Sequence, residues 1–268
     1  MKKNFKLGVI GCGFMSTAII KGAINGKILS AEQIYVSDIN KDSLDKIATL
    51  GVKTTLNNVD LVNNSEFVLF AIKPQNLNDV LSNIKDCDCK KFISIMAGVK
   101  KQKLKDTFSN SKIARCMPNT PCSIGYGAVG LDLSDFICKR DKNFITSLLS
   151  SFAKVVVVDE DNLNAVTGVS GSSPAYFYLF LKGIIESGVK HGLRYEDAKN
   201  LAVSTMIGAG KMVEQNSEKS LDELINAVCS KGGTTIEAIS VYNNCELSKI
   251  TEKAIDACVK RASELENL

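Results

Sequence analysis

The chain has 268 residues, 45% hydrophobic and 23% charged, with a formal net charge of +4; this is the make-up of a globular protein long enough to bury a sizeable core in one large or two modest domains. So mild a charge, with no long Lys/Arg run, leaves no nucleic-acid footprint, and the most apolar stretch, residues 175–181, is far too short to span a membrane. Nine cysteines and one histidine offer only Cys87 and Cys89 as a close pair, so neither a metal site nor a disulfide framework is expected. With no signal-peptide pattern ahead of the first strand, the thiols read as reduced and mostly buried in a cytoplasmic protein.

The N-terminal half alternates short apolar runs with helical patterns. Strands are expected at 7–10, 34–37, 67–72, 92–96, 113–117 and 155–158. Several are apolar on both alternating faces, as in a parallel sheet covered on both sides. Helices are expected between them at 17–25, 43–50, 77–84 and 143–152. This β-α-β rhythm predicts an α/β, doubly wound parallel sheet over residues 1–159. After Asp159 the strands stop, and an all-helical domain is expected over 160–268. Ser173 before Pro174 reads as an N-cap followed by proline at the first helical position. Ser220-x-x-Glu223 and Thr234-x-x-Glu237 read as capping boxes, Gly192 as a C-terminal cap, and 246–266 as the last helix. The helix after Pro174 begins Ala-Tyr-Phe-Tyr-Leu-Phe-Leu, apolar around its whole circumference. Two readings cover it: a helix-exchanging dimer, or a central helix within one bundle.

The segment Leu7-Gly-Val-Ile-Gly-Cys-Gly-Phe-Met-Ser16 ends a strand and opens a helix. Gly11 permits a tight turn, Gly13 lets a pyrophosphate approach the backbone, and the helix N-terminus supplies N–H donors. The context is that of a Rossmann dinucleotide site, with Ile10, Gly11, Cys12, Gly13, Phe14 and Met15 as cofactor-binding candidates. The third glycine is replaced by Ser16. Asp38, at the end of the second strand, is placed to bind a ribose 2′-hydroxyl; Ser37, Asn40 and Lys41 could instead hold a 2′-phosphate. Asp38 as a cap for the helix near Lys41 is an equal alternative.

Further segments, Ala71-Ile-Lys-Pro74, Met96-Ala-Gly-Val99, Arg115-Cys-Met-Pro-Asn-Thr-Pro121, Val166-Thr-Gly-Val-Ser-Gly-Ser-Ser-Pro-Ala-Tyr176 and Val228-Cys-Ser-Lys-Gly-Gly-Thr-Thr-Ile-Glu-Ala238, together resemble the pyrroline-5-carboxylate reductase family from near residue 6 to about residue 260. The resemblance implies a Rossmann domain with a helical dimerisation domain. It also implies homodimers that assemble further into decamers of five dimers, and hydride transfer from NADPH, with NADH possible, to a cyclic imino acid. By the same resemblance Asn58, Ala71, Ile72, Lys73, Pro74, Ala97, Gly98, Asn119 and Pro121 line the cofactor cleft, the last two bordering the nicotinamide. Glu160, Gly232, Gly233, Thr234 and Thr235 bind substrate, and Thr235 and Ser230 are catalytic candidates.

Local chemistry alone makes 230–235 a plain interhelical connection with Thr234 as N-cap; the resemblance turns it into an anion nest for a carboxylate. Thr235 has no pKa near 7, so hydrogen bonding or a water relay to the imine nitrogen is expected rather than acid catalysis. Lys231 departs from the family, which usually has proline there. His191, beside Gly192 at a helix end, is assigned a structural role. Two other readings stand beside this one. A 3-hydroxyacid-type dehydrogenase has the same two-domain plan, but the surroundings of Lys182-Gly183 and Lys211 do not match its lysine motif. A non-catalytic nucleotide-binding paralogue is kept open by Lys231 and Ser16.

Overall fold

A computed structural model describes residues 3–266. In chain order the elements are β1 (Phe5–Ile10), α1 (Phe14–Asn25), β2 (Ile34–Ser37), α2 (Lys41–Ala48), β3 (Lys53–Thr55), α3 (Asn58–Asn64), β4 (Ser65–Phe70), α4 (Leu77–Ile84), β5 (Lys91–Ser94), α5 (Lys101–Lys105), β6 (Lys112–Pro118), β7 (Gly127–Asp132), α6 (Lys139–Ser150), β8 (Ala153–Val157), α7 (Leu163–Val166), α8 (Ser173–Lys190), α9 (Tyr195–Gln215), α10 (Leu221–Val228), α11 (Thr234–Asn244) and α12 (Leu247–Leu265).

The strands form one sheet in the order β3-β2-β1-β4-β5-β6-β7-β8. Pairing is parallel from β3 across to β6. Alternate residues of one strand enter opposite cores. Leu7, Val9, Phe67 and Leu69 pack with α1 and α6 through Ile19, Ile20, Ala23, Ile145 and Leu149. Ile10, Val68 and Phe70 pack with α3, α4 and α5 through Leu61, Leu81, Ile84 and Leu104. Both faces are therefore covered, which is why the strands read as apolar runs.

Two strands escaped the sequence reading, and one changes the topology. β3 is a three-residue edge with polar threonines. β7 is Gly-Ala-Val-Gly-Leu-Asp and pairs antiparallel with β6, while β8 runs parallel to β7. The sheet is thus mixed, not wholly parallel. The reversal follows a short 3-10 turn at Thr120–Ile124 whose C-cap, Gly125, takes the left-handed conformation at φ +79.

Compact units divide the chain as Met1–Pro174 with Ala257–Leu268, and Ala175–Asp256. Residues 160–174, expected with the helical domain, pack onto the sheet: a Cβ on Gly130 would meet Val166 and one on Gly171 would meet Met117. No strand occurs in the second unit. Ser220 and Glu223 form the expected capping box, the Glu223 N–H donating to Ser220 Oγ at 3.2 Å and Ser220 N–H to Glu223 Oε2 at 2.7 Å. Gly192 closes α8 at φ +96, as expected.

Two caps are corrected. Ser173 is no N-cap: a π-helical turn at Thr167–Gly171 runs into α8, and the Ser173 hydroxyl donates back to the carbonyls of Gly168 and Val169. Thr234 is no capping box: Gly233 is the N-cap of α11 and Thr234 its first residue. The apolar helix α8 is not covered within the chain either. Phe177, Tyr178 and Leu179 are 57%, 65% and 72% exposed, and the unit's buried cluster is Ile185, Ala198 and Ala202. That overturns the single-bundle reading. Among the described residues no helix is long and apolar enough to cross a membrane.

Candidate active site

The carboxyl edge of β1 and β4 carries the glycine turn. Ile10 accepts the Ala71 N–H at 2.9 Å, and Gly11 donates to Ser37 at 2.8 Å. Gly11 sits at φ +99, where an added Cβ would lie 2.6 Å from the Ala71 carbonyl oxygen; only glycine fits there. Gly13 is the N-cap of α1 and has no side-chain cap. A Cβ added to Gly13 would meet nothing within 4 Å, so the helix end keeps both its N–H donors and room in front of them. That donor set suits a pyrophosphate. Ser16 stands where the third glycine was expected: it is buried and its hydroxyl donates to the Gly13 carbonyl at 3.0 Å, beside Thr17 at 2.8 Å. Phe14 is exposed and Met15 half-buried at the mouth of this turn.

Asp38 Oδ2 accepts the Cys12 N–H at 2.6 Å and Oδ1 the Asn40 N–H at 2.8 Å. Asp38 is not the helix cap; Asn40 is, accepting Ser43 N–H. Burial and the Asp38 charge push the Cys12 thiol above the ordinary range, against a hydrogen bond with Thr17. Ser37 donates to Asn58 Oδ1 at 2.7 Å. Lys73 precedes a short 3-10 turn beginning at Pro74, and Lys73, Pro74 and Ala97 are exposed beyond their strands, with Ile72 half-buried against Gly11. Pro121 opens the turn after β6. Asn119 is buried; it donates to the Ser170 carbonyl at 3.2 Å and accepts the Ala128 N–H at 2.9 Å.

Two candidates have structural partners of their own. Gly98 has φ +68, and an added Cβ would lie 2.8 Å from Leu265; its small size serves the seating of α12. Glu160 accepts the Lys101 N–H at 2.7 Å and pairs with Arg115 at 3.3 Å. Arg115, 4% exposed, also pairs with Glu266 at 2.9 Å, while Lys101 pairs with Asp132 at 2.5 Å. Burial opposes the Glu266 charge, yet Arg115, aided by Asn164 and Lys100, holds its carboxyl below the usual range. Sequence reading quoted Arg115 but gave it no task. The signal was present: an arginine inside the apolar run Ile113–Met117 must be paired once buried. A groove of about 310 Å³ between α4 and α5, lined by Asn78, Ser82, Lys85 and Lys103 among others, involves none of the candidate residues.

Ser230–Thr235 belongs to the other unit. The Gly233 N–H donates to the Ser230 carbonyl at 3.0 Å, and Gly232 lies at φ +72. That is the pattern of a type II turn, with glycine third and Lys231 second. Gly233 then opens α11 without a side-chain cap. The helix start therefore offers free backbone donors beside the Ser230, Thr234 and Thr235 hydroxyls, a nest for an anion.

With this geometry in hand, likeness to known proteins is extensive. A family model described as pyrroline-5-carboxylate reductase dimerisation matches residues 160–265. One described as NADP oxidoreductase, coenzyme F420-dependent, matches residues 6–98. A pyrroline-5-carboxylate reductase of Haemophilus influenzae is 38% identical over 266 residues, 98% of each chain, and one of Vibrio alginolyticus is 33% identical over 267, again 98% of each. Among solved structures, the pyrroline-5-carboxylate reductase of Coxiella burnetii superposes with a TM-score of 0.90 at 33% identity, covering 98% of this chain and 99% of that one. A Plasmodium falciparum pyrroline carboxylate reductase with NADP bound gives 0.88 at 29% identity, covering 99% and 100%. Full-length identity above 30%, the mixed Rossmann sheet and the helical unit agree, and the chain belongs to the pyrroline-5-carboxylate reductase family.

Proposed function

We propose that the chain is an NAD(P)H-dependent oxidoreductase acting on a CH–NH bond, which reduces the C=N of 1-pyrroline-5-carboxylate to give L-proline, the last step of proline biosynthesis. The observation that carries this is the pair of helices that start on a glycine N-cap, at Gly13 and Gly233, in a chain similar along its whole length to reductases of that name. Bound at the first, NAD(P)H supplies the hydride. Gly11, Cys12 and Gly13 hold its pyrophosphate; Asp38 and Asn58 border the adenosine end; Ala71–Pro74, Ala97, Asn119 and Pro121 shape the nicotinamide side. The second helix start, with Gly232, Gly233 and Thr234, takes the substrate carboxylate. Thr235 hydrogen-bonds at the ring nitrogen and passes a proton there through water, with Ser230 as a second hydroxyl in that relay. Glu160 acts by holding Arg115 and the Lys101 backbone rather than by touching substrate.

Dimerisation covers the exposed face of α8, and the family resemblance extends the dimer to a decamer. The nine free cysteines suit a reducing, cytoplasmic setting. Purified protein mixed with racemic pyrroline-5-carboxylate and NADPH or NADH should oxidise the nicotinamide, and Thr235→Ala should lower that rate about 10²-fold or more. A folded protein that binds nucleotide yet oxidises neither cofactor would leave the non-catalytic reading standing in its place.

A further inference from the structure

The sheet order sets the ends of β1, β4, β5 and β6 side by side. The glycine turn follows β1, and Ala71 lies against it after β4. Ala97 comes next along this edge, after β5, in the turn over residues 95–100 that leads into α5. Met96 and Val99 of that turn are buried, while Ala97 is exposed.

The turn is held by parts of the chain distant in sequence. Gly98 lies at φ +68 with Leu265 where a Cβ would be. Lys100 pairs with Glu266 at 3.4 Å, and the Lys101 N–H donates to Glu160 at 2.7 Å. Both carboxylates meet on one guanidinium: Arg115 reaches Glu266 at 2.9 Å and Glu160 at 3.3 Å. Arg115 is itself the register partner of Ser94, the last residue of β5. The strand beside the turn thus carries the group that grips both of its outside clamps.

Buried charge is a poor source of stability, since apolar residues of similar volume often do as well or better. Geometry is what it adds. A planar guanidinium holds its carboxylates along fixed directions, whereas an apolar contact such as that of Leu265 has no preferred direction. Arg115 and Glu266, with side chains 4% and 7% exposed, therefore fix where the last turn of α12 sits on Gly98.

We infer that Arg115 and Glu266 are positioning residues for the nicotinamide end of the cofactor: their ion pair seats the end of α12 on Gly98 and so fixes the Ala97–Gly98 turn. Neither touches the reacting atoms. The inference rests on the cofactor placement of the proposed reductase reading and deepens it, because the end of the chain becomes part of what aligns the hydride donor.

Glu266→Ala is the test, since it leaves Arg115 paired with Glu160. Calorimetric titration of the full chain with NADPH and with adenosine 2′,5′-bisphosphate, which lacks the nicotinamide half, reads the two ends of the cofactor separately. Glu266→Ala should bind NADPH several-fold more weakly and the bisphosphate as the wild type does. Single-turnover hydride transfer to pyrroline-5-carboxylate should slow about tenfold or more. Glu266→Gln, whose amide oxygen still accepts from Arg115, should recover most of both. Phe67→Ala, which removes a buried ring from the opposite core, should change neither per folded molecule. A wild-type ratio of the two affinities in Glu266→Ala overturns the inference. So does an equal loss in Phe67→Ala, which would make the effect one of stability alone. If Phe67→Ala fails to fold, Glu266→Gln decides: no recovery overturns the inference. A wild type that binds NADPH yet reduces no pyrroline-5-carboxylate overturns the reductase reading, and the affinity ratio still decides this one.

Discussion

In the sheet unit, Phe67 and Val68 are neighbours in sequence yet lie in two different cores, both fully buried. In the helical unit, Phe177, Tyr178 and Leu179 are neighbours too, and all lie open. The first unit covers the strands at the middle of its sheet from its own chain. The second contains just as apolar a helix and buries almost none of it, so its stability is tied to association and hence to concentration. The comparison shows that hydrophobic pattern reports what must be covered, not which chain covers it.

The sharpest break comes from Leu179→Asp. Its cost within one chain is small because the site is exposed, but a carboxylate carried into an apolar interface costs several kcal/mol, so self-association should weaken about a thousandfold or more. Sedimentation across a concentration series would read this; an unchanged oligomer would mean that α8 is not the covered face. Phe67→Ala probes the other unit. It removes a buried ring packed on Phe136 and Phe144 and should lower unfolding free energy by about 3–5 kcal/mol at any protein concentration.

Arg115→Ala removes the buried cation that Glu160 and Glu266 share, leaving them only Lys101 at 4.0 Å and Lys100 at 3.4 Å. A loss of about 3 kcal/mol is expected in denaturant titrations. The pH profile separates charge from packing. Because the folded carboxyl of Glu266 is held below its ordinary value, its contribution is present above the unfolded value, near pH 4.3, and is lost as pH falls through the folded one. The wild type should therefore lose melting temperature on acidification below about pH 4.5 more steeply than Glu266→Gln; parallel curves would remove the carboxyl from this account. The smallest effect is a gain. Lys231 fills the second position of the Ser230–Gly233 turn, where proline presets the backbone, and Lys231→Pro should stabilise the protein by about 0.4–1 kcal/mol.

The glycine turn, the α/β rhythm and the helical second half were legible because each rests on local sequence: Gly11 on a left-handed turn, β4 on an unbroken apolar run, α10 on Ser220 and Glu223. What was missed depends on partners distant in sequence. β7 is rich in glycine and becomes a strand only because β6 and β8 flank it. Gly98 reads as room for a ligand, yet Leu265, far along the chain, occupies the space beside it. Thr234 and Glu237 have the spacing of a capping box, but Gly233 already starts the helix, so spacing alone misplaced the cap by one residue.

The ion pair of Arg115 with Glu266 also has a consequence in time. Residues 257–266 are made after every strand they are packed with, so a nascent sheet must wait, with Arg115 lacking one of its two carboxylates and the space over Gly98 unfilled, until they have emerged. A chain stopped after Asp256 would hold all of its strands but not their closing brace, and protease should cut its sheet faster than that of the full chain.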